Sequence, residues 1–379
     1  MENNIINIDC TLRDGGYYNH WDFSYEFVKK YLLALSAAKI NYVELGFRLL
    51  DNKGFKGAYA FCNDNFLNNL DIPDGINIAV MINAVDLIVD NQLNWRTLEM
   101  LVPLHSKKSK VDLIRIACTV DDFEIIASCF KILKEKGYKT AVNIMQISKI
   151  RENQFEKIGI LATKNNVDVI YFADSFGSLV PDDIVDIVRF LKESWDGQIG
   201  FHAHNNKGFA LINTLKAIEN GVFWIDSTID GMGRGSGNTK TEELLLSLGN
   251  FDNNKSDFIP LLKMINKEFK YLKQKYKWGT NPYYFMAAKC SIHPTYVQTI
   301  LSDDRFKEED ILSVINYLES EDSTKFSSDQ LESSKNFFKG EPIGKFSPIT
   351  ILNDRDVLII GSSKNLDSHR KALEDFIIK

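Results

Sequence analysis

The sequence predicts an α/β fold: a (β/α)8 barrel with a C-terminal helical extension and a short terminal β-α unit. Three observations predict it. Short apolar runs alternate with amphipathic stretches from the start to about residue 250. There are eight such runs, the number a closed parallel barrel needs. The first run leads into Gly15-Gly16 rather than the glycine-rich turn GxGxxG, which disfavours an open doubly wound nucleotide-binding sheet.

In order, the strands are expected at Ile5–Cys10, Tyr42–Leu45, Ile76–Ile82, Leu113–Cys118, Thr140–Met145, Val167–Phe172, Gln198–His202 and Trp224–Ser227. Apolar residues at helical spacing place helices at Phe23–Ala38, Phe123–Lys136, Arg151–Lys164, Pro181–Leu191, Gly208–Asn220 and Lys240–Leu248. The alternation stops near Asn253. Lys263–Tyr276, Pro282–Leu301 and Glu308–Leu318 read as further helices, and 320–350 as mostly loop. A strand and glycine turn at Asp356–Ser363, then a helix from Leu366 to Ile378, close the chain. The expected division is a barrel over 1–252, a helical cap or oligomerisation extension over 253–350, and a β-α unit over 351–379. That last unit cannot bury its own faces, so it packs on the rest of the chain or begins an incomplete second domain.

Composition narrows the function classes. A net charge of −6 argues against nucleic acid or an anionic membrane as the partner of the whole chain. No apolar run approaches the roughly 20 residues that span a bilayer. The opening Met1-Glu2-Asn3-Asn4 has no basic leader. Five dispersed cysteines without a CxxC pair read as reduced thiols, so a cytoplasmic protein is expected. Cys10 and Cys118, within strands, read as small core residues.

The chemistry concentrates at strand ends. Arg13-Asp14 follows the first strand, and His202-Ala203-His204 ends the seventh. Residues two apart on a strand face one side, so both imidazoles reach one point. With the Asp14 carboxylate they suit a divalent first-row metal. Arg13 beside that metal would stabilise negative charge on oxygen. It could equally be a structural ion-pair partner of Asp14 or Glu44. Glu44 ends strand two, Asp174-Ser175 follows strand six and Gly231–Asn238 follows strand eight, all at the barrel face where active sites lie. Asn238 is either a metal ligand or the cap of the helix near Lys240, and Asp174 could cap the helix after strand six. Met145-Gln146 is a candidate pocket wall. Arg48 and Arg115 read as surface or barrel-rim charges.

The segments Asp9-Cys10-Thr11-Leu12-Arg13-Asp14-Gly15-Gly16-Tyr17, His202-Ala203-His204-Asn205 and Gly233-Arg234-Gly235-Ser236-Gly237-Asn238 resemble the DRE-TIM metallolyases. That TIM-barrel superfamily, similar to hydroxymethylglutaryl-CoA lyase, includes isopropylmalate synthase and 4-hydroxy-2-oxovalerate aldolase. Ala173-Asp174-Ser175 matches the last of these best. The resemblance implies that Asp14, His202, His204 and Asn238 bind Mn²⁺, Mg²⁺ or Zn²⁺. It implies that Arg13 holds an enolate oxygen, that Glu44 positions arginine and metal, and that Asp174-Ser175 receives the pyruvate carboxylate. The chain departs where the aldolase carries its histidine base: Tyr17 stands there, and His20 is the nearest imidazole. Tyr17 and His20 are therefore the candidate bases, and Tyr284 (or Tyr283) the candidate for the aldolase's C-terminal tyrosine. The implied activity is a metal-dependent aldolase acting through a pyruvate enolate, on a small 2-oxo acid and as a homo-oligomer. The alternatives are an acyl-CoA Claisen-type synthase or transferase, a metal-dependent hydrolase, and a non-catalytic barrel subunit.

Overall fold

The computed structural model describes residues 5–50, 54–249, 256–303, 305–335, 358 and 369–378. Eight parallel strands close a barrel: β1 Ile6–Asp9, β2 Tyr42–Phe47, β3 Asn77–Asn83, β4 Leu113–Cys118, β5 Lys139–Ile144, β6 Val169–Asp174, β7 Gln198–Ala203 and β8 Trp224–Ser227. Each pairs with its sequence neighbours, and β1 closes the ring on β8 through Ile6↔Trp224 to Asp9↔Ser227. All eight expected strands are present, with ends shifted by one or two residues.

The strand period of two separates packing from chemistry. On β4, Ile114, Ile116 and Cys118 face outward into the layer beneath the helices, while Leu113 and Arg115 face the barrel interior. On β7, Ile199 and Phe201 face outward and His202 faces in. The interior is filled low down by Ile8, Ala79, Leu113, Ala141, Val169, Tyr171 and Trp224. Above that plug the inward residues become polar, and the site begins there.

Several elements differ from expectation. The Phe123–Lys136 stretch forms two helices, Val120–Ile126 and Cys129–Glu135, the first closed by a Thr119/Asp122 capping box. Pro282–Leu301 is likewise two helices, because Ser291 turns left-handed (φ 56°) and Pro294 opens a new one. Within 320–335, Ser328–Lys335 is helical and buries Leu331. The predicted strand over 356–363 and the rest of 336–368, apart from residue 358, lie outside the described residues. The last helix runs Arg370–Ile378.

The helices from Pro282 onward build their own apolar cluster around Tyr296, Val297, Ile300, Val314, Ile315 and Leu318. They also hold the barrel's upper face: Gln298 receives the Gly235 N–H (2.9 Å) and Gln146 reaches the Thr324 carbonyl (2.9 Å).

Arg48 is not a surface charge. It is buried, donating to the Cys62 carbonyl (3.0 Å), the Leu101 carbonyl (2.8 Å) and Asp64 (3.0 Å). It clamps the loop after β2. Truncation would leave the buried Asp64 carboxylate without its cation, with only the Ser109 hydroxyl beside it among the described residues, and two carbonyls without these donors. Arg48→Ala is therefore expected to lower stability by about 3–5 kcal/mol, read as a lower urea midpoint. An unchanged midpoint would show that the clamp carries no load.

Candidate active site

Asp9 shapes the turn that presents Arg13 and Asp14. Its carboxylate accepts from the Thr11 N–H (3.0 Å), the Thr11 hydroxyl (2.5 Å), Tyr31 (2.6 Å) and Thr241 (2.7 Å). That network folds Thr11–Gly15 into one helical turn at the end of β1. Arg13 and Asp14 are thereby carried over the barrel mouth, both buried.

A ring of alternating charge follows. Arg13 donates from Nη1 to Asp14 Oδ1 (2.8 Å) and from Nε to Glu44 Oε2 (2.7 Å). Arg115 pairs with Glu44 Oε1 (3.2 Å) and Asp226 Oδ2 (2.7 Å). Asp226 Oδ2 lies 2.8 Å from His202 Nδ1, and His202 Nε2 lies 3.6 Å from Asp14 Oδ2. Arg115 is thus wholly buried inside the barrel, not at its rim. There it stacks on Tyr171 (4.2 Å) and meets Asn143 (3.3 Å).

The electrostatics follow from the ring. Burial raises the Asp14 pKa, but Arg13 and the two imidazoles outweigh it and hold the carboxyl well below its ordinary range. Burial lowers His202, but its contacts with Asp14 and Asp226 raise it overall. Burial, with Arg234 nearby, holds His204 well below its ordinary value, so it is neutral.

The cation that the fold implies fits these groups. One ligand atom each from Asp14, His202 and His204 lies within 4.8 Å of the others. With Nδ1 on Asp226, His202 turns its Nε2 toward Asp14 (3.6 Å) and the Asn238 amide nitrogen (3.2 Å). Asp14 Oδ2, His204 Nδ1 and Asn238 Oδ1 are buried without hydrogen-bond partners. Gly233 leaves room for them: a Cβ there would lie 1.7 Å from Asn238 Oδ1 and 3.0 Å from Asp14 Oδ2. Asn238 donates to the Ala203 carbonyl (3.1 Å), and the Thr241–Ser247 helix has no side-chain cap, so Asn238 does not serve as one. Cys10, His202 and Asp226 also cluster, but burial keeps the Cys10 thiol protonated and Nδ1 is already engaged.

A small cavity of about 60 Å³ opens above the ring. Tyr17, Met145 and Ser175 line it together with Arg13, Asp14 and both histidines. The Ser175 hydroxyl accepts the Gln146 N–H (2.9 Å). Three sequence candidates lie elsewhere. His20 is exposed with a left-handed backbone, because the loop buries Trp21 instead, its indole on the Arg13 carbonyl (2.8 Å). Asp174 spends its carboxylate on the Ser178 and Leu179 N–H groups (2.9 and 3.1 Å) and so shapes the turn after β6. Tyr284 is buried under Gly235 and packs against Tyr18, outside the cavity wall. Sequence reasoning missed Asp226 and Arg234. Asp226 occupies an inward position of β8 at a strand's alternation, and Arg234 stands inside the glycine motif itself.

A family model described as HMGL-like matches residues 4–256. The chain belongs to this family, the DRE-TIM metallolyases, and is a carbon–carbon lyase of the divalent-metal-dependent aldolase kind. The 4-hydroxy-2-oxovalerate aldolase of Roseiflexus castenholzii is 31% identical over 238 residues, 62% of this chain and 68% of that protein. The oxaloacetate decarboxylase of Mycobacterium tuberculosis is 26% identical over 256 residues, 64% of this chain and 69% of that protein. Among solved structures, the N-terminal domain of a proposed aldolase from Bacteroides vulgatus is 32% identical. It covers 78% of this chain and 96% of its own, with a TM-score of 0.68. Membership of a lyase family sets aside the non-catalytic and hydrolase alternatives. No described helix is long and apolar enough to cross a membrane.

Chelator-stripped protein is expected to take up one Mn²⁺ through Asp14, His202 and His204. His202→Ala should abolish tight binding, and Asp226→Asn should weaken it about 10- to 100-fold by freeing the His202 ring. Titration followed by calorimetry measures both; equal binding by wild type and His202→Ala would refute the ligand set.

Proposed function

We propose that the protein makes or breaks a carbon–carbon bond through the enolate of pyruvate or a related 2-oxo acid, in the manner of 4-hydroxy-2-oxovalerate aldolase. The observation that carries this is Arg13, fixed by Glu44 and Asp14 at the edge of the cavity and next to three convergent metal-ligand groups. A divalent cation (Mn²⁺, Mg²⁺ or Zn²⁺) held by Asp14, His202 and His204, with Asn238 Oδ1 adjoining, would polarise the substrate's ketone as a Lewis acid.

The chain's own residues supply the rest. As the bond between C3 and C4 breaks, its electron pair moves onto the ketone oxygen, and Arg13 donates hydrogen bonds to the charge that develops there. Glu44 keeps the guanidinium aimed, so no reorganisation is needed at that moment. Ser175, at the wall, would receive the substrate carboxylate through its backbone. Burial raises the Tyr17 hydroxyl above its ordinary pKa, and the ring is wedged against Trp21 and Phe47 (centroids 4.9 and 6.2 Å). Tyr17 therefore acts as a proton or hydrogen-bond donor. Five free thiols among the described residues suit a reducing compartment, and we place the enzyme in the cytoplasm.

One observation favours a second reading. Among the described residues, the cavity wall has no imidazole or carboxylate beyond the proposed metal set. An aldol cleavage needs a base for the 4-hydroxyl proton; β-decarboxylation of a 2-oxo acid does not. There, carbon dioxide leaves, the same enolate forms, and C3 takes up a proton that Tyr17 can provide. The name of the Mycobacterium tuberculosis relative points the same way. Release of carbon dioxide from oxaloacetate, against release of aldehyde from 4-hydroxy-2-oxo acids, separates the two.

Both routes share the enolate. The Mn²⁺-loaded protein is expected to exchange the methyl protons of pyruvate with deuterium from heavy water, and Arg13→Ala to slow that exchange about 100- to 1,000-fold. Proton NMR follows it. Exchange no faster than in Arg13→Ala, across several metals, would end the enolate proposal.

A further inference from the structure

We infer that Arg234 forms a subsite for a second anionic group, a carboxylate or a phosphate, carried by the substrate beyond its 2-oxo acid end. The inference rests on the enolate function proposed above and adds the class of substrate.

Arg234 lines the same cavity as Arg13, Asp14 and the two histidines. It differs from the three buried arginines of the barrel. Arg13 pairs with Asp14 and Glu44, Arg48 with Asp64, and Arg115 with Glu44 and Asp226. Among the described residues, no carboxylate touches Arg234. Its Nη1 lies 3.3 Å from His293 Nε2, and its guanidinium lies 5.4 Å from the Tyr17 ring centroid. Burial and Arg234 itself hold the His293 imidazole far below its ordinary value, so that partner is neutral and cancels no charge. Among the described residues, the Arg234 Nε is buried with no hydrogen-bond partner. A guanidinium is always charged and offers a planar fork suited to carboxylate or phosphate.

The charge count of the site leaves this cation over. In the ring, the carboxylates Asp14, Glu44 and Asp226 face two guanidiniums, Arg13 and Arg115, leaving one negative charge. A divalent cation turns that into one positive charge, which the carboxylate of a 2-oxo acid neutralises. Arg234 then remains without a counter-ion at the cavity, and a second anion on the ligand would match it. Arg234 is half-buried, and a charge held partly out of water without a charged partner is costly, so a function that supplies the partner accounts for it.

The position is also rigid, as a specificity contact must be. Gly235 turns left-handed (φ 66°), and a Cβ there would lie 2.8 Å from Pro294. Its N–H donates to Gln298 (2.9 Å) and its carbonyl accepts from Tyr18 (2.6 Å). Gln298 reaches back to the Tyr17 carbonyl (3.4 Å). The C-terminal helices thus hold Arg234 and Tyr17 on one side of the mouth, across which the distal part of a substrate would extend.

The test uses the full-length, Mn²⁺-loaded protein and three chain-matched ligands in calorimetry. They are 2-oxopentanoate with a methyl end, 2-oxoglutarate with a carboxylate end, and 2-oxo-4-phosphonobutanoate with a phosphonate end. Wild type should bind at least one of the dianionic acids about tenfold or more tightly than 2-oxopentanoate. The tighter of the two identifies carboxylate or phosphate. Arg234→Met should bring all three within about twofold of one another, and Arg234→Lys should keep part of the preference. Equal affinities in wild type would overturn the subsite alone, whether or not the variants fold, and so would an undiminished preference in Arg234→Met. Binding of none of the three would overturn the enolate proposal, and the subsite with it.

Discussion

Arg115 lies inside the barrel with no exposed surface, and the site is arranged around the need to compensate it. Taking an ion out of water costs several kcal/mol, and only well-placed partners recover it. Glu44 from β2 and Asp226 from β8 supply the charge, Asn143 from β5 an acceptor, and Tyr171 from β6 a π face. Each carboxylate then needs a second partner. Glu44 takes Arg13 and Asp226 takes His202, and both lead to Asp14. The circuit closes across β1, β2, β4, β7 and β8. It binds non-adjacent strands through their side chains, where the hydrogen-bond ladder joins only neighbours.

This circuit also orients the candidate metal-ligand groups from behind. The carboxylate on His202 Nδ1 fixes that ring's tautomer and leaves Nε2 pointing at Asp14. Arg13 holds one oxygen of Asp14 and leaves the other free. A gap lined by acceptor atoms, with one net negative charge around it, favours a cation before any substrate arrives. The same guanidinium that pins Asp14 lines the cavity, so under the proposed function the placement of Asp14 and the stabilisation of an enolate would depend on one side chain.

The strand order and the Asp14, His202 and His204 triad were legible because each is encoded locally. Alternation marks the strands, and a two-residue spacing on a strand puts both imidazoles on one face. Arg115 and Asp226 were not legible, because a single charge inside an apolar strand looks the same whether it lies at the rim or at the centre. Their pairing spans 111 residues and exists only once the barrel closes. His20 failed for the opposite reason. It is close to Asp14 in sequence, but the chain turns left-handed at His20 and Trp21 and buries the indole in place of the imidazole. The C-terminal helices were visible as helices, but their breaks were not, since the left-handed turn at Ser291 has no glycine to announce it.

The distribution of these contacts separates chemistry from selectivity. The charge circuit is built from residues on barrel strands and the turn after β1, and under the proposed function it would serve any 2-oxo acid enolate. The residues that would meet the rest of a substrate, Tyr17 and Arg234, sit on loops instead. Those loops are held by the helical extension, through Gln298 to Gly235 and to the Tyr17 carbonyl. A second contact, Gln146 to the Thr324 carbonyl, secures the far side of the mouth. Substitutions in the extension can therefore reshape the outer cavity while the circuit below stays intact. The departure at Tyr17 from the aldolase pattern lies in that outer layer. That departure leaves the charge circuit at the centre of the barrel unaltered.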